Sequence, residues 1–153
     1  VFLGGTLAEV SPADLDRMLA VNVRAPVIAT QAALRHIGEG GRIINIGSVN
    51  SDYVPLPGMS IYALSKGALS SFTHGMAREL GARGITVNNV QPGPVDTDMN
   101  PADGAVAKQL TGMIAVQRYG KVEEVASLVA YLASPQSAFI TGTDLNVDGG
   151  FMA

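Results

Sequence analysis

The sequence predicts an α/β chain built on a doubly wound parallel sheet, three layers thick. Three observations carry that expectation. The run Arg42-Ile43-Ile44-Asn45-Ile46-Gly47-Ser48 is short, apolar and β-branched, the composition of a strand covered on both faces. A second strand-like run, Ile85 to Gln91, follows only after a long stretch with helical spacing. In order, the chain reads helix, strand, helix, strand, loop-rich segment, helix, strand, and strands separated by helices pair in parallel through right-handed crossovers.

Taken in order, Ser11-Pro12-Ala13-Asp14 starts a helix, with Ser as the cap, Pro at the first helical position and an acid three residues past the cap. The helix is expected to run to about Ile37, kinked at Pro26, which offers no N–H to the carbonyl of Asn22. The first strand ends at Ser48, and ligands of open α/β sheets sit outside the carboxyl ends of strands. The second helix carries Leu64, Ala68, Phe72, Met76 and Leu80 at every fourth position and stops at Gly81 and Gly84. The second strand runs into Pro92-Gly93-Pro94-Val95-Asp96-Thr97, a rigid extended turn that can present backbone N–H and C=O groups to a planar ring amide. Met99 to Tyr119 has weak periodicity and reads as a flap over a pocket or as a surface helix and loop. Val122, Val125, Ala126, Val129, Leu132 and Ala133 mark a further amphipathic helix that stops at Ser134-Pro135. A last strand, Thr143 to Val147, closes with Asp148-Gly149-Gly150.

Composition removes several function classes. The 153 residues are 47% hydrophobic, enough for one core, and no internal repeat or linker divides them. The net charge is −3 with 10 Lys and Arg scattered along the chain, so no basic stripe points to nucleic acid or an anionic membrane surface. No apolar run is long enough to span a bilayer. There are no cysteines and 2 widely spaced histidines, which leaves no thiolate chemistry and no zinc site of the usual kind. With no leader visible, the expected compartment is cytoplasmic.

The chemistry gathers at Ile61-Tyr62-Ala63-Leu64-Ser65-Lys66. On a helix, Tyr62 and Lys66 lie on one face. A nearby ammonium favours phenolate and lowers a phenol's pKa, and a Tyr tuned in this way exchanges a proton with an alcohol or carbonyl. Taken singly, each feature has a plain alternative: an exposed helix for the Tyr62–Lys66 pair, a cap for Ser48, a kinked helix for Asn22, and a strand exit for Pro92-Gly93.

Together, Asn22, Ser48, Tyr62-Ala63-Leu64-Ser65-Lys66, Pro92-Gly93-Pro94-Val95-Asp96-Thr97 and the Gly-Gly tail resemble the short-chain dehydrogenase/reductase family, in the right order over the whole chain. The resemblance implies a Rossmann-like fold and an NADP- or NAD-dependent oxidoreductase of carbonyls and secondary alcohols. By it, Tyr62 is the general acid/base, Lys66 lowers its pKa and holds the nicotinamide ribose, and Ser48 orients the substrate oxygen. Asn22 holds a water on a proton relay. Pro92, Gly93, the backbone of Val95 and Thr97 meet the nicotinamide carboxamide. Ser48, Asn50, Pro94 and Met99 line the substrate pocket, to which Met59, Met113 and Ile114 add apolar surface. A homodimer or homotetramer through the two long helices and the C-terminal strand is implied as well.

Two departures bound this reading. No G-x-G-x-x-G or related glycine turn occurs, and the chain begins about where the family's Asn-Asn-Ala-Gly stretch ends. The sequence therefore reads as the catalytic, substrate and oligomer portion of such an enzyme, without the N-terminal βαβ half that binds adenosine. Two other readings stand beside the enzyme. The Gly47 to Asp52, Asp96 to Pro101 and Asp148 to Phe151 stretches are similar to a bacterial subgroup associated with cyclic-di-GMP binding and biofilm dispersal, and the chain as a whole is similar to 3-oxoacyl-carrier-protein reductases. A cyclic dinucleotide is a dianion, yet Arg42, Arg78, Arg83 and Arg118 are scattered and show no clamp. A non-catalytic fragment that pairs through its helices is the third reading.

Overall fold

The computed structural model describes residues Val1–Ala153. Helix α1, Pro12–Leu19, starts as expected, with the Asp14 amide donating to Ser11 Oγ at 3.1 Å. It continues through a π-helical turn, Ala20–Arg24, into α2, Ala25–Ala33, four residues short of Ile37. The kink expected at Pro26 is realised as this wider turn, in which the Ala25 N–H reaches back to the Ala20 carbonyl. A proline that cannot donate is accommodated by local unwinding just ahead of it.

Strands β1, Arg42–Ile46, β2, Thr86–Pro92, and β3, Asp144–Val147, form one parallel sheet in the order β1-β2-β3. The crossover from β1 to β2 is α3, Ser60–Leu80; that from β2 to β3 contains α4, Ala107–Thr111, and α5, Val122–Ala133. Only β2 is buried along its length, and β1 keeps a free edge.

Alternation along the strands separates the two faces of the sheet. Ile43, Ile85 and Val87 pack with Met76, Ala77 and Leu80 of α3. The same face carries a polar row in register, Asn45 opposite Asn89 opposite Asp144. α3 meets this row with polar groups: Asn45 Nδ2 donates to Thr73 Oγ1 at 2.8 Å, Ser70 Oγ donates to Asp144 Oδ2 at 2.7 Å, and His74 Nε2 lies 3.1 Å from Asp144 Oδ2. Asn89 Nδ2 donates to Asp144 Oδ1.

The buried face of α3 coincides only in part with its every-fourth apolar row, of which Met76 and Leu80 are buried. Ser65, Leu69, Thr73, Met76, Ala77 and Leu80 are buried, while Leu64 is 55% exposed and Ala68 and Phe72 are half-buried. Helical periodicity gives the stripe but not its partner, and two small polar residues take inward positions where side-chain amides meet them, Asn45 of β1 at Thr73 and Asn22 of the π-helical turn at Ser65. α5 buries only Leu132, and its Val122, Val125, Ala126, Val129, Ala130 and Ala133 face an open cleft. The Met99–Tyr119 stretch holds a helix and is anchored: Ala107, Leu110, Ile114 and Tyr119 pack with Val49 and Phe151 in a second core cluster.

Candidate active site

A cleft of about 1050 Å³ opens at the carboxyl ends of β1 and β2. Ser48 reaches it because β1 ends at Ile46 and the chain turns through Gly47 into a short 3₁₀ turn, Val49–Ser51. Gly47 is required there: a Cβ would stand 2.6 Å from Asn89 Oδ1. Ser48 Oγ accepts the Asn50 N–H at 3.2 Å and donates to Asn50 Oδ1 at 3.2 Å.

Tyr62 and Lys66 lie in the first turns of α3 and both line the cleft. The Phe2 ring meets the Tyr62 ring edge-on, with centroids 5.2 Å apart. Burial pushes the Tyr62 phenol above its ordinary pKa, and the Ser48 hydroxyl beside it opposes that shift by a smaller amount. The expected lowering by Lys66 is not what the structure shows. Lys66 Nζ is 5.7 Å from the ring centroid and donates to the Ile46 carbonyl at 2.9 Å, at the end of β1. Burial also lowers the pKa of Lys66 itself, by disfavouring its charge.

The opposite wall is the segment after β2. The Gly93 N–H donates to the Val147 carbonyl at 3.0 Å, and a Cβ at Gly93 would stand 2.7 Å from that of Asp148. Asp96 N–H donates to the Gly120 carbonyl at 3.0 Å and Gly120 N–H to the Pro94 carbonyl at 2.9 Å, a pairing that skips Val95. The Val95 N–H and C=O consequently have no partner within the chain and are free to meet a ligand. Thr97 Oγ1 accepts the Asn100 N–H at 3.3 Å and keeps its own proton to donate.

The cleft thus brings together Ser48, Asn50, Tyr62, Lys66, Pro92, Gly93, Pro94, Val95, Thr97, Met59 and Met99. Three expected residues stand elsewhere. Met113 and Ile114 belong to the core cluster under Phe151, where the α4 segment folds inward. Asn22 is buried behind the first turns of α3, where its side chain bonds to Val1 and donates to Ser65 Oγ at 3.0 Å; Ser65 Oγ in turn donates to the Tyr62 carbonyl at 2.7 Å. Sequence reasoning missed the apolar wall from α5, formed by Val122, Val125, Val129 and Ala133, and the aromatic ends Phe2 and Phe151. An amphipathic helix reads as core-facing, so the α5 stripe gave no sign that it borders a cleft. Lys66 is the only charged side chain on the lining.

An apolar cleft carrying Ser, Tyr and Lys beside free backbone amide groups is an arrangement for binding a planar ring and moving a proton. A family model described as enoyl-(acyl carrier protein) reductase matches residues 2–152. The chain is 48% identical over 149 residues to a protein of Escherichia coli described as a cyclic-di-GMP-binding biofilm dispersal mediator, covering 97% of this chain and 63% of the relative. A short-chain dehydrogenase/reductase from Serratia marcescens superposes with a TM-score of 0.98 at 59% identity, and a short-chain dehydrogenase from Burkholderia cenocepacia in complex with NADP with 0.98 at 53%. Each structure is matched over 100% of this chain and 62% of its own. The chain spans just under two thirds of the length of these relatives, and over that span sequence and fold agree: it belongs to the short-chain dehydrogenase/reductase family.

Proposed function

We propose that this chain carries the proton-transfer and substrate portion of an oxidoreductase that reduces a carbonyl, or oxidises a secondary alcohol, with NADP(H) or NAD(H). The observation that carries the reading is the convergence of Ser48, Tyr62 and Lys66 on one cleft opposite the unpartnered amide groups of Val95. The residues present suit the nicotinamide end of such a cofactor: Val95 N–H and C=O and the Thr97 hydroxyl match a carboxamide, and Lys66 Nζ matches a ribose hydroxyl. No glycine turn of the pyrophosphate-binding kind lies in the chain. When bound, a nicotinamide supplies the hydride.

The protein's own part is position and the proton. Ser48 Oγ turns its proton from Asn50 Oδ1 to the substrate oxygen and fixes that oxygen beside Tyr62. The phenol, kept neutral by burial, donates its proton to the same oxygen as negative charge develops there. The resulting phenolate is then stabilised by the Lys66 ammonium. Asn22 acts through Ser65 on the turn that carries Tyr62, a positioning role; its side chain is engaged at both ends by Val1 and Ser65. The apolar wall of Leu56, Met59, Pro94 and Met99 selects an uncharged, largely hydrophobic substrate. Self-association over the exposed Leu64 and the half-buried Ala68 and Phe72 of α3, with the other long helix and the C-terminal strand, completes the proposed assembly as a homodimer or homotetramer.

A second reading is supported by the Escherichia coli relative: sequestration of cyclic-di-GMP. Against it, no arginine lines the cleft, and Arg42, Arg83 and Arg118 are held on backbone carbonyls or on Glu124. Tyr62→Phe separates the two. It is expected to lower NADPH-dependent carbonyl reduction by about 10²–10⁴-fold with the fold intact. Unchanged turnover in that variant overturns the proposal.

A further inference from the structure

Gln91 is 1% exposed on the central strand, the last residue before Pro92-Gly93. A buried carboxamide is costly unless it is hydrogen-bonded, so the partner of this one is informative. Its Nε2 donates to Ser51 Oγ at 2.7 Å. Ser51 Oγ lies 3.0 Å from the Ser48 carbonyl and 2.8 Å from Asp52 Oδ2, and the Ser51 N–H donates to the same Ser48 carbonyl at 3.1 Å. A hydroxyl has one proton to give. With the Gln91 amide donating to Ser51 Oγ, the Ser51 proton is directed back onto the Ser48 carbonyl or Asp52, and the turn is pinned three residues past Ser48, through the Ser48 carbonyl.

This is the only side-chain hydrogen bond between the Val49–Ser51 turn and β2. The apolar seat of Val49 in the second core cluster holds the turn down but gives it no direction. Strand β2 runs unbroken from Gln91 into Pro92 and on to the wall that carries Val95. One buried side chain thus ties together the two walls of the cleft: the turn of Ser48 and the segment of Val95.

We propose that Gln91 is a positioning residue of this site, which through Ser51 sets the distance of the Ser48 hydroxyl from the Pro92–Thr97 wall. The inference rests on the reductase reading of the cleft. Gln91→Leu removes the donor at similar volume. It is expected to lower kcat about 10-fold or more, because small misplacements of a reacting group cost that much, and to leave KM for NADPH unchanged. Combined with Ser51→Ala, it is expected to cost no more than either change alone, since the two act as one unit. Gln91→Glu provides the rescue: a protonated Glu can donate to Ser51 and an ionised one cannot, so kcat in this variant rises as pH falls, a dependence absent from Gln91→Leu.

Amide hydrogen exchange reads the clamp without turnover. In Gln91→Leu the Ser51, Asp52 and Tyr53 amides, bonded to the carbonyls of Ser48 and Val49, exchange about 10-fold faster while Val87–Val90 keep their protection. Additive losses in the double variant, a Gln91→Glu profile that follows the wild type, or unchanged exchange in the turn would each overturn the proposal. A wild-type protein inert toward every carbonyl tested with NADPH removes the reductase reading instead, and the exchange comparison then still decides whether Gln91 holds the Ser48 turn.

Discussion

Tyr62 enters the site as a neutral phenol. Its pKa is raised above 10.0 chiefly by burial, so the folded chain holds the phenolic proton more tightly than the unfolded chain does. The stabilisation linked to it is fully present below pH 10 and is lost as pH rises through the folded value. In the protein without nicotinamide, absorbance titration is expected to show that Tyr62→Phe deletes an ionisation above pH 10; deletion of a step near neutrality would mean that Lys66 governs the phenol after all. Spacing put Tyr62 and Lys66 on one helix face and Ser48 past a strand end, as the structure has them, while their roles were implied only by the family resemblance. The sign of the phenol shift was not legible in the sequence, since it depends on what covers the ring, here Phe2, and on the Ile46 carbonyl that holds the ammonium. Asn22 shows the same limit: its position was read correctly in the chain, but its partners Val1 and Ser65 are set by tertiary structure.

At the scale of elements, the strands and α5 lie within two residues of where pattern placed them, the first strand ending at Ile46 and not at Ser48, because β-branched runs and Gly or Pro stops are local signals. Spacing marked the apolar stripes of α3 and α5 but left open what each one faces. On α3 the small polar residues Ser70 and Thr73 meet the sheet beside Met76 and Leu80, while Leu64 stays exposed, and stability is expected to follow burial rather than hydropathy. Thr73→Val keeps the shape but leaves the buried Asn45 amide without its acceptor, and denaturant unfolding is expected to show a loss of about 1–3 kcal/mol. Leu64→Ser, at an exposed position, is expected to change monomer stability by less than about 0.5 kcal/mol while weakening self-association in sedimentation. An equal loss in both variants would show that the polar row carries no special weight.

At the scale of the molecule, a strand of buried composition lies at the free edge of a three-stranded sheet, and the apolar face of α5 lines an open cleft. Such surfaces invite pairing with another chain. These 153 residues expressed by themselves are expected to bind a hydrophobic dye, to self-associate, and to hold NADPH more weakly than micromolar; a micromolar dissociation constant for this chain alone would show that the nicotinamide end suffices. The polar row beneath α3 bears on how the chain can vary. Apolar contacts let a helix slide or roll at modest cost, whereas Asn45 to Thr73 and Ser70 to Asp144 are directional and index α3 against two strands at once. Moving α3 by a single residue, about 1.5 Å, would break both and carry Tyr62 and Lys66 out of register with Ser48. Substitution should therefore be tolerated at exposed Leu64 and refused at Ser70 and Thr73, so that two small hydroxyl residues, and not an oily one, are what drift cannot replace on α3.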